Sequence, residues 1–252
     1  YIKNQKANLS HERIANFIDS KYRNLSQGKV YSFDRDKNTF HDRKEFKKIL
    51  KEDYEYVLSF DFNVNQMSAV LTEINGNLKL MHEEFRIQSR SDTGEFTIMI
   101  FQKLLMEGYL HKNGYMENGK SLIITGDAAG KSGSTKSNQS DYEIIQNVCI
   151  AKGIKYKIYV PDANPSIRDR INYVNMQFQK ENYFINSKCV LSIRDRELTS
   201  WKLGADGFVI DKSKKELTHL SDAADYALWN TQILSDEQNN YGLITTQGSN
   251  RW

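Results

Sequence analysis

Residues 54–65 read YEYVLSFDFNVN, an apolar and aromatic run that builds toward a single acid, Asp61. Two more strand-like runs follow, MSAVLTEI and GNLKLMHEEF, with Asn75-Gly76 between them. Asn-Gly is the dipeptide that a two-residue hairpin turn favours, so the three runs predict an antiparallel meander. Asp61 is expected in the middle of the first strand. A carboxylate flanked by Phe60 and Phe62 is costly to bury unless it is paired or holds a metal. That cost directs attention to the other acids, which recur in GDAAG (Asp127) and in HLSDAADYALW (Asp222 and Asp225).

The chain has 252 residues, 39% hydrophobic and 12% aromatic, enough for one large domain with a real core. A net charge of +3 is too small to argue for a polyanion partner by itself. The two cysteines, Cys149 and Cys189, form no CxxC pair, which argues against a structural zinc site and fits a reducing compartment. No run reaches the roughly 20 apolar residues of a membrane span, and no signal peptide is visible. Tyr1 rather than a methionine opens the sequence, as in an excised fragment.

Along the chain, HERIANFIDSKYRNL predicts a helix with Ser10 as its cap, ended by Gly28. KVYSFDRDKNTFHD reads as an extended strap, and DRKEFKKILKEDY as a short charged helix or linker whose basic run is a solvated face. After the meander, TGEFTIMIFQKLLMEGYL predicts an amphipathic helix capped near Thr93. KSLIITGD reads as a buried strand, AAGKSGSTKSNQS as a loop, DYEIIQNVCIAKG as a helix ended by Gly153, and IKYKIYVPD as a strand. Pro165 is expected in the first turn of the helix SIRDRINYVNMQF. NYFINSK is short and extended, VLSIRDRELTSWK helical, GADGFVIDKSKKELTH hairpin-like, and Leu220–Leu234 the last helix. The order β-β-β-α-β-α-β-α-α-α predicts an α/β fold, a mixed sheet flanked by helices.

Asp127 ends a buried strand, where sites in open α/β sheets collect. Asp222 and Asp225 are three apart and share a helix face. Three or four carboxylates meeting there repel one another unless cations neutralise them. Oxygen donors without thiols or imidazole clusters select Mg²⁺ or Mn²⁺ over Zn²⁺, and two such ions can activate water and stabilise a leaving oxygen. Singly, each acid also has an ordinary reading as a turn, helix-start or surface residue. Asn63 lies two residues from Asp61 on the same strand face, and His219 begins the last helix. Both are accessory candidates. Lys131, Lys136, Arg168 and Arg170 are candidates for holding phosphate groups, although Arg168 and Arg170 cannot both face one way on a helix. GDAAGKS imitates a phosphate-binding P-loop, but the glycines leave three intervening residues where that loop needs four.

The motifs VLSFDFNVNQMSAVL, LIITGDAAG, NPSIRDRINYVN and HLSDAADYALW, in this order, resemble the C-terminal nuclease domain of the large terminase subunit of tailed bacteriophages. The resemblance runs over roughly residues 28–234 and implies an RNase H-like fold: a three-strand antiparallel meander plus parallel strands, flanked by helices. It implies a two-metal endonuclease that cuts concatemeric double-stranded DNA during genome packaging, with two Mg²⁺ or Mn²⁺ ions. The family's acids fall on Asp61, Asp127 and Asp222, as catalytic and metal-binding residues. Asp225 is a further acid in the last motif, so the third ligand stays open between Asp222 and Asp225. The resemblance also implies a chain organisation: residues 1–52 lead from a packaging ATPase domain of the same full-length chain, 53–235 form the nuclease, and 236–252 form a tail. Implied partners are DNA, portal protein and the small terminase subunit, in the host cell cytoplasm and without a membrane. A resolvase- or transposase-like nuclease on the same fold, a nucleotide-binding protein using GDAAGKS, and a DNA-clamping module with structural acids are the alternatives.

Overall fold

The chain is described by a computed structural model over residues 28–63, 66–88, 92–132, 139–204, 207–211, 213 and 217–240. The helix expected around Ile14 and Phe17 and the loop lysine Lys136 lie outside these residues. Helices are α1 (Arg35–Asn38), α2 (Thr93–Met106), α3 (Asp141–Lys152), α4 (Ile167–Gln179), α5 (Val190–Leu198) and α6 (His219–Asn240). Strands are β1 (Thr39–Phe40), β2 (Glu55–Asp61), β3 (Gln66–Asn75), β4 (Leu78–Gln88), β5 (Leu122–Gly126), β6 (Tyr156–Ile158), β7 (Tyr183–Asn186), β8 (Trp201–Gly204) and β9 (Gly207–Ile210).

Seven strands form one mixed sheet in the order β1-β7-β4-β3-β2-β5-β6, and β8-β9 form a separate hairpin. The expected meander is present: β2 and β3 pair antiparallel, as do β3 and β4, and Gly76 takes a φ of 61° in the turn between them. β5 pairs parallel to β2 and β6 parallel to β5, while β7 joins β4 in parallel and β1 joins β7. The sheet is wider than the sequence pattern predicts because β1, inside the expected strap, and β7 are only two and four residues long, too short for a period-two signature.

Side-chain alternation along β2 divides the core into two. Tyr56, Leu58 and Phe60 join Met67, Ala69 and Leu71 against Phe96, Ile100, Phe101 and Leu104 of α2 and Tyr142, Ile145 and Cys149 of α3. Val57 and Val70 face the opposite way, toward Ile171, Val174 and Phe178 of α4, Ile193 of α5, and Leu220, Ala223, Ala224, Ala227 and Leu228 of α6. With helices on both faces, β2 is buried on both sides, so its run is apolar nearly throughout. The alanines of α6 are all fully buried. Their small side chains let the helix backbone lie close to β2, β3 and β5. Asn230, further along α6, donates from Nδ2 to Thr125 Oγ1 at 2.8 Å and to the Gly126 carbonyl at 3.1 Å, tying the end of β5 to the helix.

Several details differ from the sequence expectation, among them the helix expected over VLSIRDRELTSWK, which ends at Leu198 before Trp201 opens β8. Asp61 is the last residue of β2, not its middle, because the chain leaves the sheet at Phe62. Asp92 caps α2, its carboxylate accepting from the Glu95 amide, so Thr93 is already helical. Ser166 caps α4, which leaves Pro165 outside the helix. The Gly153 termination of α3 is as expected, with a φ of 70°.

Gly126 carries the tightest backbone constraint. Its φ is 145°, and a Cβ there would collide with the backbone of Phe60 on the neighbouring strand. Gly126→Ala is therefore expected to destabilise the fold by about 2–4 kcal/mol, combining an unfavourable φ with displacement of β2 from β5. Urea unfolding followed by circular dichroism measures it.

Candidate active site at the carboxyl edge of the sheet

The parallel pair β2-β5 brings two acids to one edge. Asp61 ends β2 and Asp127 follows β5, and the Asp127 amide donates to the Phe60 carbonyl at 2.9 Å. Asp127 also caps the 3-10 turn Ala128–Lys131, its Oδ1 accepting from the Ala129 amide at 2.8 Å. Asn164 braces it from the far side: its Nδ2 donates to Asp127 Oδ1 at 2.6 Å while its Oδ1 accepts from the Ala128 amide at 2.9 Å. Asn164 is a site residue the sequence reading did not find, because Asn-Pro there reads only as a helix entrance.

Asp61 is 4% exposed and meets the start of α6. His219 Nδ1 donates to Asp61 Oδ2 at 3.0 Å, and Asn63 Nδ2 donates to the same oxygen at 2.7 Å. The hydrogen bond to Asp61 raises the His219 pKa above its ordinary value, and burial works against it. Both accessory candidates thus touch Asp61 directly. One turn along α6, Asp222 pairs with the Arg170 guanidinium of α4. Tyr226 follows one turn later on α6. Burial pushes its hydroxyl well above its ordinary pKa, Arg170 lowers it, and Asp127, Asp222 and Asp61 each raise it.

Asp225 points elsewhere. It is fully buried, its Oδ1 2.6 Å from Arg196 Nη1, and its Oδ2 accepts from the Tyr31 hydroxyl at 2.9 Å. The shared face expected for Asp222 and Asp225 exists, but Arg170 stands between them and Asp225 belongs to the core. Arg170 is 3% exposed and stacks over the Tyr226 ring at 4.3 Å, so it does not offer its charge to a phosphate in solution. Arg168, in contrast, is exposed and reaches the Phe208 carbonyl of β9 at 3.5 Å. Lys131 is exposed and pairs with Asp162 at 2.8 Å. The GDAAGKS segment forms the 3-10 turn just described, with Gly130 packed against the Phe62 and Tyr142 rings.

Two acids outside the motifs, the buried Asp195 and the half-buried Asp141, support this edge. Asp195 of α5 accepts from the Thr218 amide at 3.2 Å and the Ser221 amide at 3.4 Å, capping α6. Thr218 itself holds a φ of 83°, a left-handed conformation that threonine rarely adopts. Asp141, at the start of α3, accepts from the Thr93 hydroxyl at 2.5 Å; burial raises its pKa, the Thr93 hydrogen bond lowers it, and Asp127 adds a smaller upward push. No local sequence signal marks either residue as buried.

The donors gathered here are carboxylate, amide and imidazole groups; Cys149 and Cys189 are buried elsewhere with free thiols. Among the described residues, no group of three or more His, Cys, Asp and Glu side chains forms a metal-holding cluster. Asp61, Asp127 and Asp222 share an edge, and each is held by a protein donor. None of the helices among the described residues is long and apolar enough to cross a membrane.

The mixed sheet and its flanking helices share their fold with phage large-terminase nuclease domains. The large terminase of a thermophilic bacteriophage superposes with a TM-score of 0.60 at 16% identity, covering 92% of this chain and 52% of the terminase. The P22 large terminase nuclease domain superposes with a TM-score of 0.55 at 9% identity, covering 83% of this chain and 95% of that domain. The chain thus spans about half the length of the thermophilic phage's terminase. No protein-family model and no curated protein matches the sequence.

Burial drives the Asp195 carboxyl up to about 6, against 3.8 for the ordinary side chain, although the Ser221 and Thr218 amides and Arg196 oppose the rise. Its folded form binds a proton more tightly than its unfolded form. Stability contributed by that proton is present below about pH 4 and is lost as pH rises through about 6. Asp195→Asn, which keeps an acceptor for the helix cap, is expected to lose less stability than the parent between pH 4 and 6, by up to about 3 kcal/mol. Urea titrations at stepped pH measure the difference.

Proposed function

We propose that this chain is a metal-dependent DNA endonuclease, the nuclease part of a genome-packaging terminase that cuts concatemeric double-stranded DNA. The observation that carries the reading is that β2, β5 and α6 bring Asp61, Asp127 and Asp222 to the carboxyl edge of a sheet with the fold of terminase nuclease domains. A divalent cation would neutralise these acids beyond what their present protein donors do.

The donor set fits a hard divalent cation: carboxylate oxygens dominate and thiolate is absent. Asp61 and Asp127 would hold it first, with Asp222 completing the set; Asp61 is the natural bridge if two ions bind. Bound Mg²⁺ or Mn²⁺ would neutralise the carboxylates and supply Lewis-acid charge at a phosphodiester. Because each acid is now held by a protein donor, loading asks His219, Asn63, Asn164 and Arg170 to share their carboxylates with the ion. His219 and Asn63 orient Asp61 in the meantime, so the acid is aimed before DNA arrives.

Exposed Lys131 and Arg168 lie on elements flanking this edge and suit backbone phosphates, which would give weak sequence preference. Lys136, outside the described residues, is assigned the same role from the sequence alone. Residues 1–52 would connect to a packaging ATPase domain of the same full-length chain, with residues 53–235 as the nuclease and 236–252 as a tail. Portal protein and small terminase subunit would be the partners, acting in the host cell cytoplasm. That Asp225 is fully buried against Arg196 and Tyr31 supports Asp222 over Asp225 as the third ligand.

Supercoiled-plasmid cleavage tests the reading. The parent chain is expected to nick DNA with Mn²⁺ or Mg²⁺ and to stop with EDTA, and Asp61→Ala to reduce the rate by about 10³-fold. Undiminished cleavage by Asp61→Ala would remove the site assignment.

A further inference from the structure

Behind the acidic edge lies a buried ion cluster that meets the proposed site at Asp222. Arg170, on α4, has Nη2 on Asp222 Oδ1 and Nε 3.8 Å from Asp225 Oδ2. Arg196, on α5, is fully buried and has Nη1 2.6 Å from Asp225 Oδ1. Its guanidinium carbon sits 4.1 Å over the Tyr31 ring, and the Tyr31 hydroxyl donates to Asp225 Oδ2. The chain of contacts runs Tyr31–Asp225–Arg170–Asp222, with Arg196 as the second cation.

Tyr31 belongs to the strap that enters the domain, and the strap is tightly sewn down. The Val30 amide donates to the Thr199 carbonyl at 3.0 Å, Asn175 Nδ2 donates to the Val30 carbonyl at 2.9 Å, and the Ser32 amide donates to Asn175 Oδ1 at 2.7 Å. A buried arginine is an expensive way to stabilise a fold, since well-packed apolar residues do as well. Two of them, converging on adjacent acids of one helix turn, point to a demand on geometry. A planar guanidinium stacked on the Tyr226 ring, with Asp225 Oδ2 3.8 Å from its Nε, is restricted in rotation, and the carboxylate it grips inherits that restriction.

We infer that Arg170 is a positioning residue for Asp222, and that Asp225, Arg196 and the strap residue Tyr31 form the frame that holds Arg170 in place. This rests on the metal-site reading of Asp222 and extends it: the orientation of the third acid is set from the core and from the entering strap, not by solvent. Groups that support a metal-ligating carboxylate in this way matter to affinity by about 10–100-fold when removed.

The test uses the whole 252-residue chain with Arg170→Gln, Arg170→Lys and Tyr31→Phe. Calorimetric Mn²⁺ binding is measured without DNA, and hydrogen exchange of the amides of residues 219–226 is measured without metal. Arg170→Gln is expected to weaken Mn²⁺ binding about tenfold, Arg170→Lys to recover part of it, and Tyr31→Phe, which keeps the ring on Arg196, to weaken it by a smaller factor. Both Arg170→Gln and Tyr31→Phe are expected to speed exchange at the start of α6. Mn²⁺ binding by Arg170→Gln as tight as the parent's, or tighter, would make Arg170 a competing counter-ion and overturn the proposal. So would unchanged exchange in both variants. If the parent itself binds no Mn²⁺, the metal-site reading fails, and the exchange arm still decides whether the frame governs Asp222. Should Arg170→Gln not fold, Tyr31→Phe carries both measurements.

Discussion

The closeness of α6 to the sheet is the constraint on which the candidate site depends. Ala223, Ala224 and Ala227 present almost no bulk to β2 and β3, and Asn230 fastens the helix to the last carbonyl of β5. With larger residues at those positions the helix would stand off, and His219 could not reach Asp61 while Asp222 shared an edge with Asp127. The side chains that let the helix approach are interleaved with those of the candidate site. Gly126 makes the matching concession on the sheet side, allowing β2 and β5 to end side by side.

The approach gathers charge where water is scarce. Asp61, Asp195, Asp225, Arg170 and Arg196 are all buried in or behind this edge, and isolated burial of any of them would be strongly unfavourable. The molecule resolves this by pairing. Asp225 answers Arg196, Arg170 bridges to Asp222, Asp195 caps a helix, and Asp61 accepts from His219 and Asn63. At the opposite end of the sheet, Glu73 is fully buried between Arg43 and His82, at 2.7 and 3.0 Å, so charge pairing in the interior is a habit of this chain and not peculiar to the acidic edge. Those contacts carry Glu73 down to about 2 against the opposing effect of burial.

Much of the architecture was legible from local pattern. The meander announced itself because alternation, Asn-Gly and strand length agree over residues 54–88, and β5 because LIITG is uninterrupted apolar sequence before a turn. Asp61 stood out for the same reason: an acid inside a strong strand signal conflicts with its surroundings. What escaped were features defined by partners far along the chain. VLSIRDREL looks like a solvent-facing charged helix, yet Asp195 and Arg196 turn inward, because their partners lie on α6. Arg170 looked like a free basic residue for the same reason. Asn164 was hidden by the proline after it, and the two-residue strand β1 carries too few side chains for any period.

The hydrogen bond between Tyr31 and Asp225 closes a separation of 194 residues. On a ribosome, the strap emerges early and the last helix late, so through most of synthesis Arg170 and Arg196 have no acid to answer them. Until the chain reaches α6, the half-built domain holds two unmatched cations that resist burial, and its core has reason to stay open. The acidic edge is therefore completed last, when the first and final described segments meet. A nascent chain of this kind would remain without its third acid, and so without the proposed cutting activity, until synthesis of the domain is nearly over.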